Sequence, residues 1–212
     1  MQNIFFISGI DTDAGKTVAT GWLAREWLRA GTRVITQKLV QTGNSGGVSE
    51  DILRHREIMG CGLLPEDREG LTAPALFPFP ASPHLASKLA GREIDFVKID
   101  LATRTLAERY GAVLVEGAGG LMVPLAEDYL TIDFIRERAY PVIFVSSAKL
   151  GSINHTLLSL EALKTRGMLL HSLLFNGFPE SDPAIGADTE RFLRGVIARD
   201  WPGTEFLKVP VL

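Results

Sequence analysis

Short apolar runs rich in β-branched and aromatic residues recur along the chain, separated by longer stretches with helical periodicity. The runs Ile4–Ile7, Val34–Ile35, Ala112–Val115, Val142–Val145 and Leu169–Phe175 read as strands. They do not alternate with polar residues, so both faces of each strand are expected to be covered. Between them, Val18–Ala30, Asp51–Met59, Phe96–Tyr110, Ile132–Arg138, Ile153–Arg166 and Ala187–Arg199 carry amphipathic helical patterns. On the first of these, Trp22, Leu23, Trp27 and Leu28 form the apolar face, and Gly31 stands where a helix would close. Strands alternating with helices predict an α/β fold, a mostly parallel sheet with helices on both faces. The segment Leu63–Pro83 breaks the rhythm with five prolines and reads as a long ordered loop. Ser82-Pro83 after it fits a helix start.

In such sheets ligands sit beyond the carboxyl ends of the strands, so the residues just past each apolar run are the ones to weigh for chemistry. After the first run comes Gly9-Ile-Asp-Thr-Asp-Ala-Gly15-Lys16-Thr17. A strand, a glycine-bearing turn and a helix opening on Lys-Thr form the layout of a phosphate-binding loop, in which backbone N–H groups and the helix dipole face an anion. Lys16 is placed to reach terminal phosphates and the Thr17 hydroxyl to hold Mg²⁺. Five residues separate the two glycines, one more than the usual pattern.

Other strand ends carry candidate chemistry. Glu116 comes directly after Ala112–Val115 and precedes Gly117, Gly119 and Gly120; it reads as a Mg²⁺ carboxylate, or as a solvated strand end with a flexible turn. Lys38 is either a second cation at the transferring phosphate or a surface lysine. Asp51 is a metal ligand or part of a plain helix N-terminus. The Gly151–Asn154 stretch offers N–H groups to a second anion such as a substrate carboxylate, or is a normal turn with Ser152 as the cap. Asn176 can read an adenine edge or serve in a turn. None of the four histidines shows metal-ligand spacing, and His171 is expected in the core with its hydrogen bonds satisfied.

Composition adds limits. At 212 residues one domain, 1–212, is expected. The hydrophobic fraction of 46% and charged fraction of 22% are ordinary for a globular chain. A net charge of −3 suggests no nucleic-acid partner. Cys61 is the one cysteine, expected as a small apolar filler, and a lone thiol suits a reducing, cytoplasmic location. No basic region precedes the first apolar run, and no run reaches the ~18 apolar residues of a membrane span.

Taken together, Gly9–Thr17, Lys38-Leu-Val-Gln-Thr-Gly43, Ser82-Pro-His84, Val115-Glu-Gly-Ala-Gly-Gly120 and Lys149-Leu-Gly-Ser-Ile-Asn-His155 resemble the dethiobiotin synthetase family, whose fold is similar to the P-loop NTPases. The longer first loop is that family's own variant. The resemblance implies an ATP- and Mg²⁺-dependent cyclo-ligase. It carboxylates 7,8-diaminopelargonic acid with CO₂, or bicarbonate as its source, through a carbamate and a carbamic-phosphoric mixed anhydride. It implies Lys16, Lys38 and Thr42 as catalytic residues. It implies Thr12, Asp13, Ala14, Gly15, Lys16, Thr17, Val18, Glu116 and Asn176 around ATP, and Thr17, Asp51 and Glu116 around Mg²⁺. Substrate contacts fall to Lys38, Thr42, Gly117, Gly151, Ser152, Ile153 and Asn154. A homodimer is implied, with the Gly151–Asn154 loop of one subunit reaching the substrate of the other. Two departures stand out. Leu39 occupies a place where proline is common, and the chain stops at Val209-Pro-Val-Leu212 where family members usually continue near the nucleotide base. Competing readings are a partition-type ATPase, whose early signature lysine is here Asp11, and a non-catalytic nucleotide-sensing domain.

Overall fold

The computed structural model describes residues 3–44, 46–177 and 182–211. In chain order the first half contains β1 (Ile4–Gly9), a 3₁₀ turn at Thr12–Ala14, α1 (Lys16–Arg29), β2 (Val34–Lys38), β3 (Gln41–Thr42), α2 (Glu50–Met59), α3 (Pro65–Arg68), β4 (Leu76–Phe77), α4 (Pro83–Leu89) and α5 (Phe96–Arg109). The second half contains β5 (Ala112–Gly120), β6 (Pro124–Ala126), β7 (Tyr129–Leu130), α6 (Thr131–Glu137), β8 (Val142–Ser147), α7 (Ser152–Thr165), β9 (Leu170–Asn176), α8 (Pro183–Asp200) and β10 (Glu205–Val209). Six strands form one sheet in the order β10-β9-β8-β1-β5-β2, and every pairing in it is parallel.

Successive residues of the inner strands point to opposite faces, and both faces are dry. Phe6, Val113, Val115 and Phe144 pack with α5, α6, α7 and α8 side chains such as Ile99, Ile135, Leu163 and Leu193. Ile7, Leu114, Ile143 and Val145 pack with Ala19, Leu23 and Ala24 of α1. This two-sided burial is why the strands read as continuous apolar runs. Truncating a ring buried as fully as Phe6 would cost about 3–5 kcal/mol.

Several expectations change. The buried face of α1 is built from Ala19, Thr20, Leu23 and Ala24, whereas Leu28 is 40% exposed. Small residues there let a neighbour come close. A Cβ on Gly21 would lie 3.0 Å from Ile58 Cβ and 3.3 Å from His55 Cα, so glycine is what allows α2 to sit against α1. The proline-rich segment folds more than expected, into α3 and the short strand β4. Pro65 at the first position of α3 explains how that turn forms despite its neighbours. Cys61 is exposed rather than buried. His171 is half-buried, edge-on to Phe5 with ring centroids 4.9 Å apart, and burial lowers its pKa. β10 has no counterpart among the expected strands, because its exposed Glu205 and Lys208 flank only the adjacent pair Phe206-Leu207 and break the apolar run before Val209.

Candidate active site

The carboxyl ends of β1, β2, β5, β8 and β9 bring the predicted residues to one edge of the sheet. Between β1 and α1, Asp11 caps the 3₁₀ turn by accepting from Thr12 N–H at 2.7 Å. Gly15 then takes φ +84°, a left-handed conformation that aims the chain into α1. A Cβ there would also fall 2.0 Å from Asn176 Nδ2. Asn176, at the end of β9 and 4% exposed, donates to the Ala14 carbonyl at 3.1 Å. The amide expected at the adenine edge is thus also a brace beneath the phosphate-binding turn.

Lys16 folds back over that turn. Its Nζ donates to the Asp11 carbonyl at 2.7 Å and to the Thr12 carbonyl at 3.2 Å. Burial pulls its pKa down to about 8, with the Glu116 carboxylate opposing and the Lys38 charge adding to the fall. A triphosphate offers the anion that such a desolvated ammonium lacks.

Beside it lies a compact ionic cluster. Lys38 and Glu116 are register partners on β2 and β5. Lys38 Nζ lies 2.7 Å from Glu116 Oε1, 2.5 Å from Asp51 Oδ2 and 3.2 Å from the Gly117 carbonyl. Asp51 is held in the first turn of α2, whose cap Ser49 accepts from Ile52 N–H at 3.3 Å. The dipole of that helix favours a carboxylate there. Thr17 Oγ1 lies 3.2 Å from Asp51 Oδ1 and 3.1 Å from Glu116 Oε1, so its single proton can go to either carboxylate. Burial alone would lower the Lys38 pKa, but Glu116 and Asp51 outweigh it and raise it. Burial alone would raise the Glu116 pKa, and Lys38 together with His55 drives it well below the carboxylate range.

The donor set of Thr17, Asp51 and Glu116 consists of hard oxygens, with the Thr17 hydroxyl within 3.2 Å of both carboxylates. That fits Mg²⁺, which takes one or two carboxylates and completes its octahedron with phosphate and water. Among the described residues no group of three or more His, Cys, Asp or Glu is arranged for a metal, so an all-protein cage of the kind Zn²⁺ takes is not offered.

Two cavities meet at this cluster. One, of about 930 Å³, is lined by the turn from Thr12 to Val18 together with Ser147, Ser152, Asn176 and Val211. The other, of about 580 Å³, is lined by Lys38, Thr42, Asp51, Pro83, Glu116 and Gly119. Thr12, Asp13, Lys16 and Thr17 belong to both. Gly117 is buried and offers its carbonyl to Lys38.

In the Gly151–Asn154 stretch the helix cap falls one residue before the Ser152 expected for a plain turn. Gly151, at φ +95°, caps α7 itself, and Ser152 is the first helical residue, its Oγ 2.9 Å from Ser147 Oγ. Gly151 and Asn154 are exposed and Ile153 half-buried, and none of the three lines the cavity that holds Thr42.

Histidine spacing gives His55 no role, yet it is fully buried with Nε2 2.8 Å from Glu116 Oε2 and Nδ1 3.1 Å from Thr36 Oγ1. The available signal was its place one helical turn after Asp51, on the same face of α2. Next to it Arg56, 2% exposed, reaches Thr36 Oγ1 at 2.8 Å and holds Asp67 through two bonds of 2.9 and 2.8 Å.

A family model described as an AAA domain matches residues 3–204. The chain is 50% identical over 206 residues to the ATP-dependent dethiobiotin synthetase BioD 2 of Pasteurella multocida, covering 97% of this chain and 96% of that one. It is 53% identical over 182 residues to the BioD 2 of Haemophilus influenzae, covering 86% and 95%. To the BioD of Chlorobaculum tepidum it is 50% identical over 196 residues, covering 92% and 82%. Among solved structures, the ParA of pNOB8 bound to nonspecific DNA aligns over 100% of this chain and 86% of its own, with a TM-score of 0.58 at 13% identity. The signal recognition particle receptor FtsY of Elizabethkingia anophelis aligns over 100% and 60%, with a TM-score of 0.54 at 12% identity. At such identities the likeness to ParA and FtsY is one of fold, a P-loop NTPase-like parallel sheet.

Proposed function

The chain belongs to the ATP-dependent dethiobiotin synthetase family, and from that premise we propose that it closes the ureido ring of dethiobiotin at the junction of the two cavities. ATP lies in the larger cavity and the 7,8-diaminopelargonic acid carbamate in the smaller. The observation that carries this reading is the wall the two cavities share, Thr12, Asp13, Lys16 and Thr17; a γ-phosphate held there would lie between nucleotide and acceptor.

One amine of the diamine takes up CO₂ to form a carbamate. A carbamate oxygen attacks the γ-phosphorus and the bond to ADP breaks, giving the mixed anhydride. The second amine then attacks the carbamate carbon, phosphate leaves, and the ring closes. Charge spread over the transferring phosphoryl group makes positioning and fixed cations the main demand. Lys16, from the turn after β1, and Lys38, from the end of β2, meet that demand, and Lys16, already desolvated, turns from the loop carbonyls to the phosphates. Thr42, lining the smaller cavity, stands beside the amines. Thr17, Asp51 and Glu116 would hold Mg²⁺, which would supply neutralising charge to the phosphates. Asn176 keeps the turn in shape and lines the larger cavity, where it would meet the adenine.

The same proposal includes a single working unit over 1–212, a cytoplasmic location and a homodimer. Dimerisation is supported by the separation of Asn154 from the Thr42 cavity, which suits delivery of that loop to a neighbouring subunit. Leu150 and Leu158, 79% and 62% exposed beside it, supply apolar surface for such a contact.

Purified protein given diaminopelargonic acid, ATP, bicarbonate and Mg²⁺ should form dethiobiotin and release phosphate in equal amounts. Nucleotide binding with no diamine-dependent phosphate release would overturn the enzymatic reading in favour of a sensing domain.

A further inference from the structure

The Glu116 carboxylate has two differently held oxygens. Oε1 faces the cluster, with Lys38 Nζ at 2.7 Å and Thr17 Oγ1 at 3.1 Å. Oε2 faces away from it, toward His55 Nε2 at 2.8 Å. A carboxylate oxygen accepts and cannot donate, so Nε2 carries a proton whatever the charge of the ring. The other ring nitrogen is pinned to Thr36 Oγ1 at 3.1 Å, and Thr36 in turn receives Arg56 Nη1 at 2.8 Å. Arg56 is fixed by its two bonds to Asp67, and Asp67 also accepts from Thr72 Oγ1 at 2.7 Å and from Leu64 N–H at 2.7 Å. His55, Glu116 and Thr36 are each 0% exposed, so no bulk water competes for these bonds. The imidazole cannot rotate without breaking both of its contacts.

We propose that His55 is a positioning residue for the Glu116 carboxylate: it clamps Oε2 so that Oε1 stays turned toward Thr17 Oγ1, the side on which a divalent cation would be held. Asp51 and His55 lie one turn apart on α2, so a single helix supplies one oxygen donor and the clamp for the other. The inference rests on the reading of Glu116 as a metal ligand. Partners that orient ligating carboxylates from behind commonly change metal affinity when removed.

Mn²⁺ binding to the ATP complex, measured by electron paramagnetic resonance without the diamine, tests this in wild type, H55N, H55Q and E116Q. An Asn amide reaches Thr36 but is too short for Glu116, whereas a Gln amide extends to where Nε2 stood. H55N should weaken Mn²⁺ by about tenfold, H55Q should restore most of the loss, and metal-free ATP affinity should stay unchanged in both. Wild-type Mn²⁺ affinity in H55N alongside a loss in E116Q would overturn the clamp and leave Glu116 as a ligand. Wild-type affinity in E116Q would overturn the ligand reading, and the clamp with it. Equal losses of Mn²⁺ and metal-free ATP affinity in H55N that H55Q does not rescue would reduce His55 to a fold residue. Should H55N not fold, the wild-type protein still decides. Its Nε2 proton should give a slowly exchanging downfield NMR signal that moves when Mg²⁺ and ATP are added together. A signal that is missing or indifferent to them would overturn the proposal.

Discussion

Lys38 Nζ lies 2.7 Å from Glu116 Oε1, the two residues being register partners on adjacent parallel strands with side chains 6% and 0% exposed. Parallel pairing fixes their separation through backbone hydrogen bonds, so the ion pair needs little ordering of its own. Removing one partner of such a pair leaves the other charged and buried, which costs more than the pair itself contributes. Lys38→Met should therefore lower unfolding free energy by about 3 kcal/mol and kcat by about 10²-fold or more. Urea melts and steady-state kinetics on the same preparation check both; a variant with normal stability would show that leaving Glu116 without Lys38 carries no such cost.

Lys16 acts in the opposite sense on stability. Its folded pKa of about 8 lies below its ordinary 10.5, so below about pH 8 the folded state carries a poorly solvated charge. Between those values the unfolded chain holds a proton that the folded chain has released, and stability rises with pH. Lys16→Met should abolish turnover yet stabilise the ligand-free protein at pH 7 by about 2 kcal/mol, an advantage that fades toward pH 10.5. Denaturation midpoints of both proteins across that range measure it; a constant difference would contradict the buried-cation account.

Gly15 and Asn176 should behave as a pair. Gly15→Ala places a methyl 2.0 Å from Asn176 Nδ2 and leaves alanine at φ +84°. ATP affinity by calorimetry should fall more than about tenfold, the equivalent of about 1.4 kcal/mol. Adding Asn176→Ala removes the clash but leaves the backbone strain, so recovery should be partial. Full recovery would mean the strain is negligible, and none would mean that Asn176 is not what Gly15 avoids.

Asp67 anchors Arg56 beneath the site. Burial would raise the Asp67 pKa, but its hydrogen bonds and attraction to Arg56 bring it below its ordinary 3.8. The resulting stabilisation is fully present above that value and lost as pH falls through the lower, folded one. Asp67→Asn should cost about 3 kcal/mol at pH 7 by leaving Arg56 unpaired, and acid unfolding should bring the two proteins together. Parallel stability curves down to the acid transition would count against it.

Asn154 and Leu158 share a face of α7, one turn apart. Asn154→Ala should raise the KM for the diamine about tenfold with little change for ATP, the loss expected from one hydrogen bond to a charged group. Leu158→Lys should convert a dimer to monomers in sedimentation velocity. An Asn154 effect confined to ATP would contradict the carboxylate role, and a monomeric wild type would remove the shared site.

Local patterning made the fold legible. The strand runs, the glycine turn and the helices from Lys16 onward are specified by residues within a few positions of one another, and the all-parallel sheet results from their alternation. The edge strand β10 escaped because solvent on one side lets charges interrupt its apolar pattern. The extension of β5 through Gly120 escaped because glycines signal turns unless a neighbouring strand pairs with them, as Gly9 does.

Sequence alone thus determined that a phosphate-binding turn comes after the first strand and which residues stand at the strand ends. Only the tertiary structure decided what those residues touch. His55 meets Glu116 across 61 residues of chain, and Asn176 meets Ala14 across 162. Such contacts depend on how α2 packs against α1 and where β9 falls in the sheet order, and no local spacing encodes them. Strand and helix signals are short-range because backbone sterics and side-chain period are short-range. Charge pairing and bracing arise between elements, where burial makes each partner's identity matter.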